Sequence, residues 1–377
     1  MEEILVIVPR DATMEINLRL RQVLDYALDG VTNRYIRTAA ELGRYFGTGG
    51  CQAFSSGEHR EEERGCPSRR VLFAISLGDT GINFEYYRVL RWLRENPDIL
   101  NGWVGGVVMD GTSELYTKSV ARELVFTANS AGCTFVGRPL VEGTGSLSNF
   151  TIVAQNMETD HATAYKKSVA ILVQEILTFQ CPDKKHPNLL VLHASSHKSS
   201  NTYALWRAVS ERLPDFEITE INLRNGTLSD CSGCPYRMCL HFGEKESCFY
   251  GGVMVDDVYP AVRQTDAIVM LCPNYNDAMS ANLTAFVNRL TALFRTTRFY
   301  DKALFAIVVS GYSGSDIVAE QLIAALNMNK TFYLPGRFAM LETANNAGTA
   351  MKLPGIEERL EAFAGRIRRT LCGLYRN

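Results

Sequence analysis

Short apolar runs alternate along this chain with longer stretches whose apolar positions recur at helical spacing. In the first half, Ile4 to Val8, Val71 to Ser76, Val104 to Met109 and Thr134 to Val136 read as short buried strands, with helical stretches at Phe84 to Arg94 and Glu114 to Ala131. The second half repeats the alternation more clearly. Strands are predicted at Leu189 to His193, Glu217 to Ile221, Ala267 to Cys272, Ala303 to Ser310 and Thr331 to Leu334. Helices are predicted at Thr202 to Leu213, Val255 to Thr265, Ser280 to Phe294 and Ser315 to Leu326. Runs such as AIVML and LFAIVVS are apolar at every position, as strands covered on both faces must be. The pattern predicts an α/β fold, with a five-stranded parallel sheet in the second half and helices on both of its faces.

Polar interruptions set the expected boundaries. Residues 1–150 read as an N-terminal α/β domain and 151–187 as a connecting helix and linker. Residues 188–377 read as a second α/β domain with a cysteine-rich insert at 231–248. Cys51 to Arg70 turns polar and rich in Gly, Glu and Arg, which suits an exposed loop better than any regular element. The length of 377 residues agrees with two domains.

In an open parallel sheet, ligands bind outside the carboxyl ends of the strands, which directs attention to three loops. The first, His193-Ala-Ser-Ser-His-Lys-Ser-Ser-Asn-Thr202, runs into a helix N-terminus, where short polar side chains and free N–H groups suit a phosphate. It has no Gly-x-x-x-x-Gly-Lys pattern, so it is not a triphosphate loop. Taken alone it is as readily a βα turn with Asn201 or Thr202 as the cap. The second loop, Cys272-Pro-Asn-Tyr-Asn-Asp-Ala-Met-Ser280, offers Tyr275 to the face of a flat ring and amides to its polar edge. Ser310-Gly-Tyr-Ser-Gly-Ser315 is a Gly/Ser loop with a second aromatic.

Charge and cysteine content narrow the function classes. A net charge of -2 gives no electrostatic reason to expect nucleic acid or anionic lipid as a partner, and no apolar stretch is long enough to span a membrane. The N-terminus, MEEILVIVPRD, has no basic region of the secretory type, so a cytoplasmic protein is expected. Ten cysteines in a chain of this size then read as ligands or redox groups rather than a disulfide framework. Four of them fall within 18 residues, Cys231, Cys234, Cys239 and Cys248, with His241 between the last two. This Cys-x2-Cys-x4-Cys-x8-Cys spacing admits an iron–sulfur cluster, a structural zinc or a metal-free redox thiol loop. Cys133, Cys181, Cys272 and Cys372 read as packed or surface thiols, and Cys51 and Cys66 are close enough in sequence to meet across the polar loop, although nothing in the sequence requires it.

The run DAIVMLCPNYNDAMSANLTAFVNRL resembles the signature of the NAD(P)H-dependent FMN reductases and iron–sulfur flavoproteins, in which an aspartate-led strand ends in a Pro-x-Tyr loop beneath the flavin. The likeness covers about half the chain and implies a flavodoxin-like domain. That family's first loop reads Gly-Ser-x-Arg-x-x-Ser-x-Thr. Here Ser195, Ser196, Ser199, Ser200, Asn201 and Thr202 supply the phosphate-binding types, while His193 and Ala194 replace the leading residues. By resemblance, Pro273, Asn274, Tyr275, Asn276 and Asp277 border the isoalloxazine, and Ser310, Gly311, Tyr312 and Ser313 close its other side. The resemblance also implies a four-iron, four-sulfur cluster on the four clustered cysteines, although the family's usual spacing is the tighter Cys-x2-Cys-x2-Cys. It further implies NAD(P)H as donor, an electron-transfer protein as partner, and association of subunits that brings the cluster and flavin of different chains together.

The first half carries less chemistry. Gly78, Asp79, Thr80, Gly81 and Asn83 lie at a strand-to-helix turn and read as turn and cap rather than a phosphate cradle. Phe84, Tyr86, Tyr87 and Trp92 read as helix packing. The alternation marks this half as a second flavodoxin-like unit that has lost or changed its ligand, or as a module for dimerisation or docking. Two functions are therefore expected of the whole: an FMN oxidoreductase passing electrons through a metal cluster, or a flavin- or thiol-based redox sensor.

Overall fold

The computed structural model describes residues 3–10, 17–47, 69–195 and 200–373. They form two compact units, 1–179 and 180–377.

In the first unit five strands make one parallel sheet: β1 (Ile4–Ile7), β2 (Asn33–Ile36), β3 (Arg69–Leu77), β4 (Trp103–Gly111) and β5 (Thr134–Gly143). Their spatial order is β2-β1-β3-β4-β5 and every pairing is parallel. Strands β1 and β4 are buried at all positions, because helices cover both faces. Strand β2 was not predicted. Its sequence NRYI buries one residue of four, as an edge strand can, and so lacks the apolar run that betrays the central strands.

Helices Leu18–Ala27, Phe84–Glu95 and Thr117–Ser130 join successive strands, and Asn17 and Asn83 cap the first two by accepting from Leu20 N and Tyr86 N. The stretch before Phe84 thus supplies the predicted cap, Asn83. Within that helix Tyr86 is fully buried, whereas Phe84 and Tyr87 are exposed. Helix His161–Thr178, expected to connect two domains, contributes Tyr165, Val169, Leu172, Val173 and Ile176 to the core of this first unit. The polar segment around Cys51 and Cys66 lies outside the described residues, apart from Arg69 and Arg70, which begin β3.

The second unit holds β6 (Asn188–His193), β7 (Glu217–Asn222), β8 (Ala267–Pro273), β9 (Ala303–Ser310) and β10 (Ala339–Thr343). The order β10-β9-β8-β6-β7, again all parallel, is that of the first sheet with β6 as its first strand. Numbered within each unit, both sheets run 2-1-3-4-5, the flavodoxin-like order, with the switch point beside the first strand. The fold expectation therefore holds for the C-terminal half and extends to the N-terminal one.

One element is displaced. The fifth strand was predicted at Thr331 to Leu334, which is buried but makes only an isolated bridge, Ala303 with Tyr333. The ladder to β9 is made by Ala339–Thr343, whose burial alternates. An edge strand needs only one covered face, so the more apolar segment is not the one that pairs. Helices Asn201–Ser210, Ala281–Phe294, Ser315–Leu322 and Ile356–Cys372 pack this sheet, and the third continues as a π-helical segment, Ile323–Met328.

Candidate functional site

Loops after β6, β8, β9 and β10 gather at the carboxyl edge of the second sheet. At the end of β6, His193 is buried, lies against Tyr203 with ring centroids 5.2 Å apart and planes tilted by 41°, and places Nε2 3.3 Å from Glu220 Oε1. Ser195 follows; Ser196 and Ser199 lie outside the described residues. Ser200 caps helix Asn201–Ser210 by accepting from Tyr203 N (3.2 Å), and its hydroxyl lies 2.8 Å from that of the buried Thr202. The cap reading and the phosphate reading of this loop are compatible, since a capped helix start still presents N–H groups and a favourable dipole to an anion.

Asn201 ties this loop to the segment after β10. Its Nδ2 donates to the carbonyls of Ala344 (3.1 Å) and Asn346 (2.8 Å), and its Oδ1 accepts from Ala350 N (3.3 Å). The loop after β10 went unread in the sequence because its strand had been placed too early.

After β8 the chain makes a tight turn. Ala278 N donates to Tyr275 O (3.3 Å), and Asn276 and Asp277 between them both have left-handed φ, +55° and +56°. Asn and Asp tolerate that region better than other side chains, which is why this sequence closes a turn of this kind without glycine. Asn274 is the hinge between two loops: its Nδ2 donates to Asp277 Oδ1 (3.2 Å), Ser310 Oγ (3.1 Å) and Ser313 O (3.1 Å). Ser310 is fully buried and its hydroxyl lies 2.7 Å from that of Ser315. Gly314 completes the approach. Its φ is +86°, and a Cβ there would fall 2.2 Å from Asp277 Oδ1. Tyr312 receives Asn345 Nδ2 on its hydroxyl (2.9 Å) while its ring, like that of Tyr275, is largely exposed.

Three buried polar atoms along this edge have no hydrogen-bond partner among the described residues: Ser195 Oγ, Asn274 Oδ1 and Ser280 Oγ. Such atoms are costly unless a ligand or water satisfies them. Two exposed aromatic faces stand beside them. This combination fits a flat heteroaromatic ring bearing a phosphate tail, so the residues present suit FMN. Of the predicted cofactor residues, those after β8 and β9 are joined directly through Asn274, and those after β6 are held at a helix start on the same edge.

The insert brings its four cysteines to one cavity of about 420 Å³, which Arg289 and Arg295 also line. Cys231 is exposed and Cys234, Cys239 and Cys248 are half-buried; Cys239 rides on helix Tyr236–Gly243. Arg289 is buried, with Nη2 donating to Gly251 O (2.6 Å), and the Arg295 guanidinium lies 4.6 Å from the Tyr236 ring centre. Among the described residues no three His, Cys, Asp or Glu side chains stand close enough to hold one metal ion. His241 does not line this cavity. Cys133 and Cys272 are fully buried, and burial pushes the Cys272 thiol up to about 12 and the Cys133 thiol higher still.

The second unit is thus a flavodoxin-like domain with a flavin-type ligand edge. Residues 187–346 match the family described as NADPH-dependent FMN reductase, and the fold of the C-terminal half is flavodoxin-like. Among solved structures, an NAD(P)H:quinone oxidoreductase from Methanothermobacter marburgensis is similar at 14% identity and a TM-score of 0.36, covering 51% of this chain and 98% of its own. RosB with bound 8-demethyl-8-formylriboflavin-5'-phosphate is similar at 12% identity and 0.38, covering 48% and 76%. A putative quinone reductase from Klebsiella pneumoniae is similar at 13% and 0.34, covering 48% and 84%. No relative was found among curated proteins. No helix among the described residues is long and apolar enough to cross a membrane.

Proposed function

We propose that the protein is an FMN-dependent oxidoreductase that draws electrons from NAD(P)H or a reduced protein and passes them on through its cysteine insert. The observation that carries the flavin is the set of three unpartnered polar atoms, Ser195 Oγ, Asn274 Oδ1 and Ser280 Oγ, at the carboxyl edge of the second sheet, within the stretch that matches the FMN reductase family. In this reading Ser195, Ser199, Ser200, Asn201 and Thr202 hold the phosphate. Pro273 to Asp277 and Ser310 to Ser313 frame the ring, with Tyr275 and Tyr312 shielding it from water.

FMN supplies the chemistry, since it exchanges hydride on one side and single electrons on the other. The chain's own part is to orient the ring: Asn274 and Gly314 fix the separation of two loops, and Asn201 fixes the helix start against the segment after β10. Flavin absorbance of the purified protein, with FMN identified after heat release, tests the reading. A colourless protein that takes up no added FMN would sink it.

The four cysteines support a cluster in the same proposal, because they line one cavity with two arginines, and cationic neighbours suit an anionic thiolate-bound group. A single zinc ion needs thiolates gathered at bond lengths of about 2.3 Å. The alternative is a metal-free thiol loop in a flavin-based sensor, in keeping with the described residues offering no group of three His, Cys, Asp or Glu side chains close enough for one metal ion. Iron and sulfide analysis after anaerobic reconstitution, with Cys234→Ser as control, separates them: one cluster per chain supports transfer, and none at all supports the sensor. Cytoplasmic location, subunit association and a protein electron partner belong to the proposal on the same footing.

A further inference from the structure

The first unit has the same strand order as the second, so its carboxyl edge is where a ligand of its own would bind. That edge is already furnished from within. Asp110 ends β4, the strand that corresponds in sheet position to β9, and is almost completely buried. The Arg19 guanidinium meets it side-on, with Nε 2.9 Å from Oδ2 and Nη2 2.9 Å from Oδ1. The remaining guanidinium hydrogens go to carbonyls: Nη2 to Gly111 O (2.8 Å) and Gly143 O (3.3 Å), Nη1 to Thr144 O (3.0 Å) and Gly145 O (3.4 Å). Asn17 Nδ2 (2.7 Å) and Tyr165 Oη (3.1 Å) complete the carboxylate's shell, and Asn17 also reaches Ser76 Oγ (2.9 Å) at the end of β3.

Three of the four carbonyls belong to glycines, and two of these have no room for a side chain. A Cβ on Gly143 would meet the Tyr165 ring at 2.6 Å, and one on Gly145 would meet Thr112 O at 2.5 Å. No buried side-chain polar atom on this edge lacks a partner among the described residues, in contrast to the three on the second sheet.

We propose that the edge of the N-terminal sheet is a guanidinium site, filled by the chain's own Arg19, and that the chain consequently carries one flavin, in its C-terminal unit. The cradle has the chemistry of guanidinium recognition: a carboxylate for the bidentate face and carbonyls arrayed for the outer N–H groups, a set that an ammonium ion, with fewer and differently directed donors, cannot satisfy. The same carboxylate and carbonyls would repel the carbonyl oxygens and phosphate of a flavin. The flavin count rests on the function proposed above; the guanidinium site does not.

The test uses the full chain and an Arg19→Ala variant. Unfolding is followed through tryptophan fluorescence in the presence of methylguanidinium at millimolar, non-denaturing concentration, with methylammonium and sodium chloride at equal ionic strength as controls. The expected result is a lowered unfolding temperature for Arg19→Ala that methylguanidinium restores saturably, with no effect of either control and none on the unsubstituted protein. A variant too unstable to fold alone is refolded with and without methylguanidinium, and recovery only with it gives the same answer. No specific rescue, or equal stabilisation of both proteins, overturns the site. A second variant, Arg19→Ala with Asp110→Asn, is expected to lose the response, and a response kept in full also overturns it. For the flavin count, one FMN per chain is expected and two overturn it; no FMN at all refutes the proposed function and leaves the guanidinium result standing.

Discussion

At the scale of single residues, the site depends on positions where no other side chain fits. Gly314 is the clearest: at φ +86°, with Asp277 Oδ1 2.2 Å from where a Cβ would be, alanine must push apart the loops that Asn274 ties together. Gly314→Ala is expected to cost about 1–2 kcal/mol for the backbone alone, and to weaken FMN binding at least tenfold, read by flavin fluorescence titration. Undiminished affinity would show that the spacing of the two loops does not matter to the ligand. The cysteines divide by burial in the same way. A thiol raised to about 12, as at Cys272, is almost entirely protonated at neutral pH, and only the thiolate reacts. Mass spectrometry after brief alkylation of the folded, metal-free protein is therefore expected to find Cys272 and Cys133 unmodified and Cys231, which is exposed, labelled.

At the scale of elements, helix His161–Thr178 shows how a segment is claimed by a core. Its buried face carries Tyr165, Val169, Leu172 and Ile176, and it packs on the first sheet rather than running free as a connector. Glu175 shares that helix, and burial raises its carboxyl to about 7 against the partial opposing pull of Arg138. The folded state therefore holds a proton between about pH 4.5 and 7 that the unfolded chain gives up, so this group's contribution falls as pH rises through that window. Because Glu175 is only partly buried, solvent screening reduces the effect to about 1 kcal/mol. Glu175→Gln is expected to flatten the pH dependence of unfolding between pH 5 and 8; an unchanged slope would assign it to other groups.

At the scale of the whole molecule, two sheets of identical order differ in what their carboxyl edges hold: self-satisfied contacts around Arg19 in one, unpartnered polar atoms in the other. A ligand that binds only the folded state stabilises it by mass action, by about 2.7 kcal/mol at a hundred times its dissociation constant. Trp206 is buried in the second unit, while Trp92 and Trp103 belong to the first. In a variant that keeps Trp206 with Trp92 and Trp103 replaced by Phe, saturating FMN is expected to raise the fluorescence-detected unfolding temperature by several degrees. No shift at saturation would place the flavin away from this unit.

Much of this protein was legible in its sequence, and for a physical reason. Strands buried on both faces, such as AIVMLCP and ALFAIVVS, must be apolar throughout, so the central sheet and the loops ending at Asn274, Tyr275 and Ser310 could be read from a linear pattern. The clustering of Cys231, Cys234, Cys239 and Cys248 is likewise local, and their sharing of one cavity follows from proximity in the chain. Edge strands carry a weaker signal: Glu217–Asn222 was read, but two others were not. Asn33–Ile36 was missed and Ala339–Thr343 was misplaced because half of each faces away from the core, and with β10 went the loop whose backbone Asn201 binds. The grip of Arg19 on Asp110 was beyond the sequence, since it joins residues 91 positions apart that only the fold brings together. Sequence determined which central strands form and what chemistry their loops hold; only tertiary structure decided which of two like edges is filled from within, because that depends on which side chain arrives there across the fold.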